Sequence, residues 1–352
     1  MTNQMQVAIL YQAHEPPCIH GIQKPMKKGG YSDSGADIAY ALKLSQISVV
    51  TPIQNPDLYL DTDWVFPDTE QGINEAIEKG ANILWLNTVL YKDHPIVKYL
   101  HRVNLVGQIP ENVEKYDDKF QTNALLKLNN LPVPHSILIS SNDINYSNLK
   151  KLNFPIVIKP IRGRGSQGVT KVNNFEELLI NINLSFEEKI YGTSLYLEEY
   201  LPGNELTITV MPPGNYSLKN GTKTFSDYWC LPPVKRFNHK NGIAPYNGTV
   251  AVANNSKVLN NEDRSNKSIQ QLMIHCEKAA KLVQAKAPIR IDCRANDEGN
   301  YYLFDLNMKP NMTGASRPHR SDQNSLSALA AREIGWSYSD LLINMLRQYW
   351  RL

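Results

Sequence analysis

No apolar run in this chain approaches the roughly 20 residues that a membrane-spanning helix needs, so a membrane is not expected among its partners. Basic blocks are missing too. The 37 Lys and Arg against 34 Asp and Glu leave a formal charge of only +3, spread along the sequence, which gives no nucleic-acid or polybasic membrane surface. Four cysteines in 352 residues, at positions 18, 230, 276 and 293, form no CxxC pair. Reduced thiols in a cytoplasmic protein are the expectation, with Cys293 as a buried structural thiol. The N-terminal stretch has no basic residues ahead of its short apolar run, so it reads as a first strand rather than a signal peptide. No GxGxxG follows that strand, and no GxxxxGK[ST] occurs, so neither a dinucleotide fold nor a P-loop is supported. Internal repeats and low-complexity segments are absent.

What remains is an ordinary globular composition, 42% hydrophobic and 20% charged, long enough for two or three domains. Residues 1–110 alternate strand and helix signals: strands over 6–11, 48–52 and 81–87, and helices over 34–42 and 69–79. This rhythm predicts a parallel sheet with helices on its faces. Ser32, Asp33 or Ser34 can cap the first helix, Asp68 or Thr69 the second. A boundary falls near 110–116. Beyond it come a helix over 118–129, strands over 136–139, 154–160, 169–172, 194–201 and 205–210, and a short helix at 175–181. Residues 211–258 are hardest to read, rich in Pro, Gly, Asn and Tyr, and suit an active-site lid over 236–249. An amphipathic helix over 266–285 precedes a hairpin over 288–311, and helices over 325–335 and 338–349 close the chain.

The hairpin carries the chemistry. Side chains two apart on a strand share a face, so Arg290 sits with Asp292, and Asp305 with Asn307. Paired across the turn at 296–300, they would gather two carboxylates, an amide oxygen and a guanidinium. Oxygen ligands of that kind suit Mg²⁺; a half-exposed hairpin with a charged wet face is the plainer alternative. Upstream, Lys119 opens a helix. Lys159 ends the strand FPIVIK and runs into a loop of Gly163, Arg164, Gly165, Ser166, Gln167 and Gly168, whose backbone N–H groups could cradle phosphate. Glu198, Glu199, Tyr200 and Leu201 end a later strand, with Glu205 after the turn, an edge that could hold a purine and its ribose.

Together the stretches DDKFQTN, FPIVIKPIRGRGSQGV, LEEYLPGNELTI and IRIDCRANDEGNYYLFDLNMKPNMTGAS resemble the ATP-grasp superfamily over about residues 110–320. Within it they are most similar to D-alanine–D-alanine ligases and related carboxylate–amine ligases. The resemblance implies α/β and α+β parts in a three-part ATP-grasp architecture: an N-terminal parallel-sheet (pre-ATP-grasp) domain over 1–112, a central ATP-binding domain over 113–202 and a C-terminal catalytic domain over 203–352. It implies ATP with Mg²⁺ (or Mn²⁺), and an ADP-forming ligase that activates a carboxylate as an acyl-phosphate and couples it to an amine, such as that of an amino acid. Lys119 and Lys159 would contact phosphates, and residues 164–168 would close over them. Glu198 would meet the adenine amino group, with Glu199 beside it, the backbone of Tyr200 and Leu201 at the ring edge, and Glu205 on the ribose. Asp292, Asp305 and Asn307 would hold the metal. Arg290, helped by the Asn311 N–H, would stabilise the tetrahedral intermediate. The family has Glu at the position of Asp305 and Gly at that of Asn311. For substrate the resemblance offers Glu15 by loop position, Lys235 or Arg236 for the lid lysine, and Ser316 with Arg317 after the hairpin. A homodimer through the N-terminal domain is a common family state. The alternatives are a small-molecule kinase on the same scaffold and a nucleotide-binding regulatory protein without turnover.

Overall fold

A computed structural model describes residues 4–163, 165–188, 191–239, 241–244 and 252–352. The first sheet is parallel, in the order Ser48–Val49, Gln6–Tyr11, Ile83–Asn87, Asn104–Val106, with Phe66–Pro67 also on the first strand. Its apolar central strands, Gln6–Tyr11 and Ile83–Asn87, are buried on both faces, as a parallel sheet requires. The second helix, Glu70–Glu78, starts where the sequence places it: the Thr69 hydroxyl accepts from Gly72 N at 3.1 Å. The first, Ser32–Leu44, does not use its expected side-chain caps. Its N-cap is Tyr31 in a left-handed conformation (φ 67°). Gly29 and Gly30 before it are left-handed as well, and a Cβ on Gly30 would lie 1.8 Å from the Gln12 carbonyl oxygen. The chain turns there because glycine allows the close approach.

A four-stranded antiparallel sheet follows, in the order Ser136–Ser140, Ser194–Glu199, Ile156–Pro160, Thr170–Val172. It has its own apolar core, including Ile158, Val172, Leu178, Ile182 and Leu197. The helix at 175 is longer than expected, Phe175–Glu187, and is capped by Asn174. The helix Pro110–Tyr116 occupies the stretch read as a boundary.

The third sheet runs Ser256–Val258, Val234–Arg236, Glu205–Met211, Ile289–Ala295, Tyr301–Asn307, with Trp229–Cys230 on the strand Glu205–Met211. The stretch after 211 is thus mostly short strands, including the hairpin Gly214–Leu218 and Gly221–Phe225. The third sheet shares an apolar core with the first: Leu10, Leu84 and Leu105 lie in one cluster with Leu206, Ile208, Ile291 and Leu303. The 288–311 hairpin forms as read, with Arg290 opposite Asn307 and Asp292 opposite Asp305. The expected strict alternation does not hold on its second strand. Asp292 faces Asp305 while Cys293 faces Leu303, so residue 304 is a bulge. Among the described residues no helix is long and apolar enough to cross a membrane.

Candidate active site

The cleft lies between the second and third sheets. From the second sheet come Lys159, Glu198, Glu199, Tyr200 and Leu201, together with Gly165, Ser166 and Gln167 of the glycine loop. From the third come Glu205, Arg236, Arg290, Asp292, Arg294, Phe304, Asp305 and Asn307; Lys119 reaches in from its helix, and Gly242–Ala244 of the lid stretch cover one side. Each is delivered by ordinary local structure. Asp118 caps the helix Lys119–Leu128, accepting from Gln121 N at 2.9 Å. The helix is tied to the second sheet, since Asn123 Nδ2 donates to the Tyr196 hydroxyl at 2.7 Å. In the glycine loop Gly165, Ser166 and Gly168 are left-handed, and a Cβ on Gly168 would meet the Tyr191 ring at 2.5 Å. Gly168 shapes the loop without lining the cleft, and Arg164 lies outside the described residues.

At the hairpin end the carboxylates are held by cations. Arg290 donates to both Asp292 oxygens, at 3.2 and 3.1 Å, and Thr207 Oγ1 donates to Asp292 at 2.8 Å. Asn307 Nδ2 donates to Asp292 at 3.3 Å, a bond that does not use its amide oxygen. Lys119 Nζ is 3.0 Å from Asp305. Burial would raise the Asp305 carboxyl, but Lys119, then Lys159 and Arg290, overcome it and hold the group below the usual aspartate range. Lys119 is the mirror case: burial would lower it, and Asp305 and Asp117 raise it. Both groups are therefore charged near neutrality. No three His, Cys, Asp or Glu among the described residues are grouped to hold a metal. Asp292, Asp305 and Asn307 instead line one end of the cleft together, and two carboxylates with a side-chain amide are a donor set that fits Mg²⁺ when phosphate and water complete the shell.

At the other end Lys159 pairs with Glu198 in the buried interior and lies over the Phe304 ring, 4.7 Å from its centroid. Burial raises the Glu198 carboxyl despite that lysine. The second Glu198 oxygen, Gln167 Oε1 and Arg236 Nε are buried with no hydrogen-bond partner. Such atoms cost about 1–3 kcal/mol each unless a ligand satisfies them; all three belong to residues lining the cleft.

Glu205 shows what sequence reading missed. It faces Arg236 across one neighbouring strand and Arg294 across the other. His239 reaches it at 2.9 Å, and Arg294 lies 3.7 Å away. Burial would raise its carboxyl, yet His239, Arg236 and Arg294 hold it low. Arg294 also donates to the Gly242 carbonyl at 2.6 Å and the Tyr200 hydroxyl at 3.0 Å, tying the lid stretch to the cleft wall. Arg294 shares the face of Arg290 and Asp292, so alternation could have nominated it. His239 left no such signal.

The substrate half differs from expectation. Arg236 is in the cleft, but Lys235 is on the opposite face of its strand, beside Leu206 and Lys257. Glu15 is exposed and lines neither this cleft nor the cavity beside it. Asn311 lies outside the cleft lining, its side chain accepting from Thr313 N at 3.2 Å. Arg317 is corrected from substrate ligand to interior cation. It is 0% exposed, bonded to Asp37 at 2.9 Å and Asp61 at 2.7 Å. Ser316 likewise donates to the Asp37 carbonyl at 3.0 Å.

A two-sheet cleft with a glycine loop, a Lys–Glu pair and an acidic hairpin defines an ATP-grasp enzyme. Residues 125–347 match the family described as D-ala D-ala ligase C-terminus, and the chain belongs to that family. It is thus an ATP-dependent, ADP-forming carboxylate–amine ligase. The D-alanine–D-alanine ligase of Buchnera aphidicola subsp. Schizaphis graminum is 28% identical over 247 residues, 65% of this chain and 68% of its own length. A solved D-alanine–D-alanine ligase from Bacillus anthracis, complexed with ATP, shares the fold with a TM-score of 0.66 at 16% identity, over 98% of this chain and 96% of its own. The VanG D-Ala:D-Ser ligase of Enterococcus faecalis does so at 0.63 and 14%, over 98% and 99%.

Proposed function

We propose that the chain uses Mg-ATP to activate a small carboxylate and join it to the amine of an amino acid. The observation that carries this reading is the hairpin register, with Arg290 opposite Asn307 and Asp292 opposite Asp305 at the floor of the cleft. Glu198 offers its spare oxygen to the adenine amino group, the backbone of Tyr200 and Leu201 borders the ring, and Glu205 takes the ribose hydroxyls. Lys119, Lys159 and the glycine loop neutralise the phosphates. Asp292, Asp305 and Asn307 would hold Mg²⁺, or Mn²⁺ in its place, which when bound would neutralise charge on the transferring phosphoryl oxygens.

The substrate carboxylate takes the γ-phosphoryl group and ADP leaves. The amine then attacks the acyl carbon, inorganic phosphate leaves, and the amine nitrogen gives up its proton. Negative charge grows on the acyl oxygen during that attack, and in this reading Arg290, with the Asn311 N–H, absorbs it. Of the lid stretch, residues 240 and 245–249 lie outside the described residues; Gly242–Ala244 border the cleft, where shielding would keep out the water that would otherwise hydrolyse the acyl-phosphate. The parts fall at residues 1–112, 113–202 and 203–352, and the assembly is a cytoplasmic homodimer paired through the first.

The test is a phosphate-release screen of amino acids, singly and in pairs, with mass spectrometry of the products. ADP, phosphate and a condensed product are expected, in equal amounts. AMP with pyrophosphate, or a stable phosphoester without condensation, overturns the reading.

A further inference from the structure

A second cavity adjoins the first. Lys119, Gly163, Phe304, Asp305 and Asn307 line both, so it opens at the hairpin end of the cleft, where the phosphoryl group must be transferred. Gln12 lines it too, directly after the strand Gln6–Tyr11. That is the carboxyl end of a parallel strand, where open α/β sheets bind their ligands.

Gln12 is held firmly. Its backbone N–H donates to the Gly30 carbonyl at 2.9 Å, and that of Ala13 donates to Asp68 Oδ1 at 2.9 Å. Asp68 is itself fixed by the Thr88 hydroxyl and by His94 Nε2 at 3.0 Å. The Gln12 side chain donates from Nε2 to the His14 carbonyl at 3.0 Å. Turning the amide over would set two oxygens against each other, so its ends cannot exchange. Gln12 Oε1 is then an acceptor with no hydrogen-bond partner, in a residue only 2% exposed. An unmet buried acceptor costs about 1–3 kcal/mol, and a donor on a ligand in the cavity removes that cost.

The donor could be an ammonium or an uncharged N–H, and the carboxylates of the cavity decide between them. Asp117 is paired with Lys24, and Asp305 with Lys119 at 3.0 Å. Among the described residues, neither carboxylate lining the cavity is without a cation of its own. A desolvated ammonium needs a charge partner. An amide N–H needs only an acceptor, which Gln12 Oε1 supplies.

We propose that Gln12 is a specificity-determining residue and that the carboxylate substrate is an N-acylated amino acid, its uncharged N–H donated to Gln12 Oε1 while its carboxylate points to the hairpin end. The inference rests on the ligase reading and narrows its substrate class.

The test measures phosphate release by the wild type, Gln12→Leu and Gln12→Glu with N-acetylglycine, N-acetylsarcosine or glycine as the carboxylate and alanine as the amine. N-acetylsarcosine differs from N-acetylglycine only in a methyl group that replaces the N–H hydrogen. Rates are taken above those with alanine alone. ADP binding by each variant, measured calorimetrically, shows that it is folded. The wild type is expected to favour N-acetylglycine over both others about tenfold or more in kcat/KM. Gln12→Leu loses that preference through KM, with the KM for ATP unchanged. Gln12→Glu moves the preference toward glycine, because a carboxylate favours the ammonium. Should neither variant fold, the wild-type comparison decides alone. A wild type that takes N-acetylsarcosine or glycine as readily as N-acetylglycine overturns the inference and leaves the ligase intact. So does a folded Gln12→Leu enzyme with undiminished preference, or ADP formed with free amino acids but not with N-acetylglycine. No ADP with these pairs or with any pair of amino acids overturns both.

Discussion

Asp292 and Asp305 are opposite partners in the hairpin, yet different cations hold them, Arg290 in one case and Lys119 in the other. Removing either carboxylate strips a ligand from the site proposed for Mg²⁺ and leaves a buried cation beside it. Asp292→Ala and Asp305→Ala should each lower ADP formation more than about a hundredfold, with far-UV circular dichroism unchanged; wild-type turnover in either variant refutes the assignment. Glu205 adds a pH dependence. Its folded carboxyl lies below its ordinary 4.5 because His239 and two arginines outweigh burial. The stability it contributes is fully present above pH 4.5 and is lost as pH falls through the lower folded value. Urea unfolding between pH 7 and pH 3 should therefore show stability falling below about pH 4.5, and less steeply in Glu205→Gln. An identical slope in the variant would remove Glu205 from the account.

At the scale of elements, how much the sequence revealed depended on how local the cause was. Thr69, Asp118 and Asn174 cap helices within three residues of themselves, so those starts could be read directly. The acidic hairpin was legible because both strands and their turn are contiguous. Tyr31 was not, since its left-handed cap is held by contacts distant in sequence: Gln12, just past one strand, bonds Gly30, and Asn87, ending another, bonds Tyr31. Residues 211–258 resisted in part because some of their strands, such as Trp229–Cys230 and Val234–Arg236, are only two or three residues long, too short for alternation to show. The ring about Glu205 draws on 236, 239 and 294, which meet only once the third sheet has formed.

Across the whole molecule, the first and third sheets are joined by more than their shared core. Asp37, on the first helix, accepts from Arg317, Arg320 and Thr313 at 2.7–3.0 Å, and Asp61 takes the far side of Arg317. These contacts anchor the chain immediately after Asn311. Arg317→Met should cost about 3 kcal/mol, because it leaves the buried Asp37 carboxylate short of a partner, and should lower the urea midpoint. An unchanged midpoint would mean that Arg320 alone satisfies Asp37.

The bulge at residue 304 reaches further than its one unpaired position suggests. Leu303 and Leu306 are both in the core although they are three apart, and the two side chains between them, Phe304 and Asp305, both line the cleft. The extra residue acts as a phase slip, letting one strand serve the interior in one register before it and in the other after it. Chain length in this hairpin is therefore as informative as residue identity. A single deletion at 304 changes no charged group and keeps every cross-strand pair, yet it would take from the cleft the ring over which Lys159 lies.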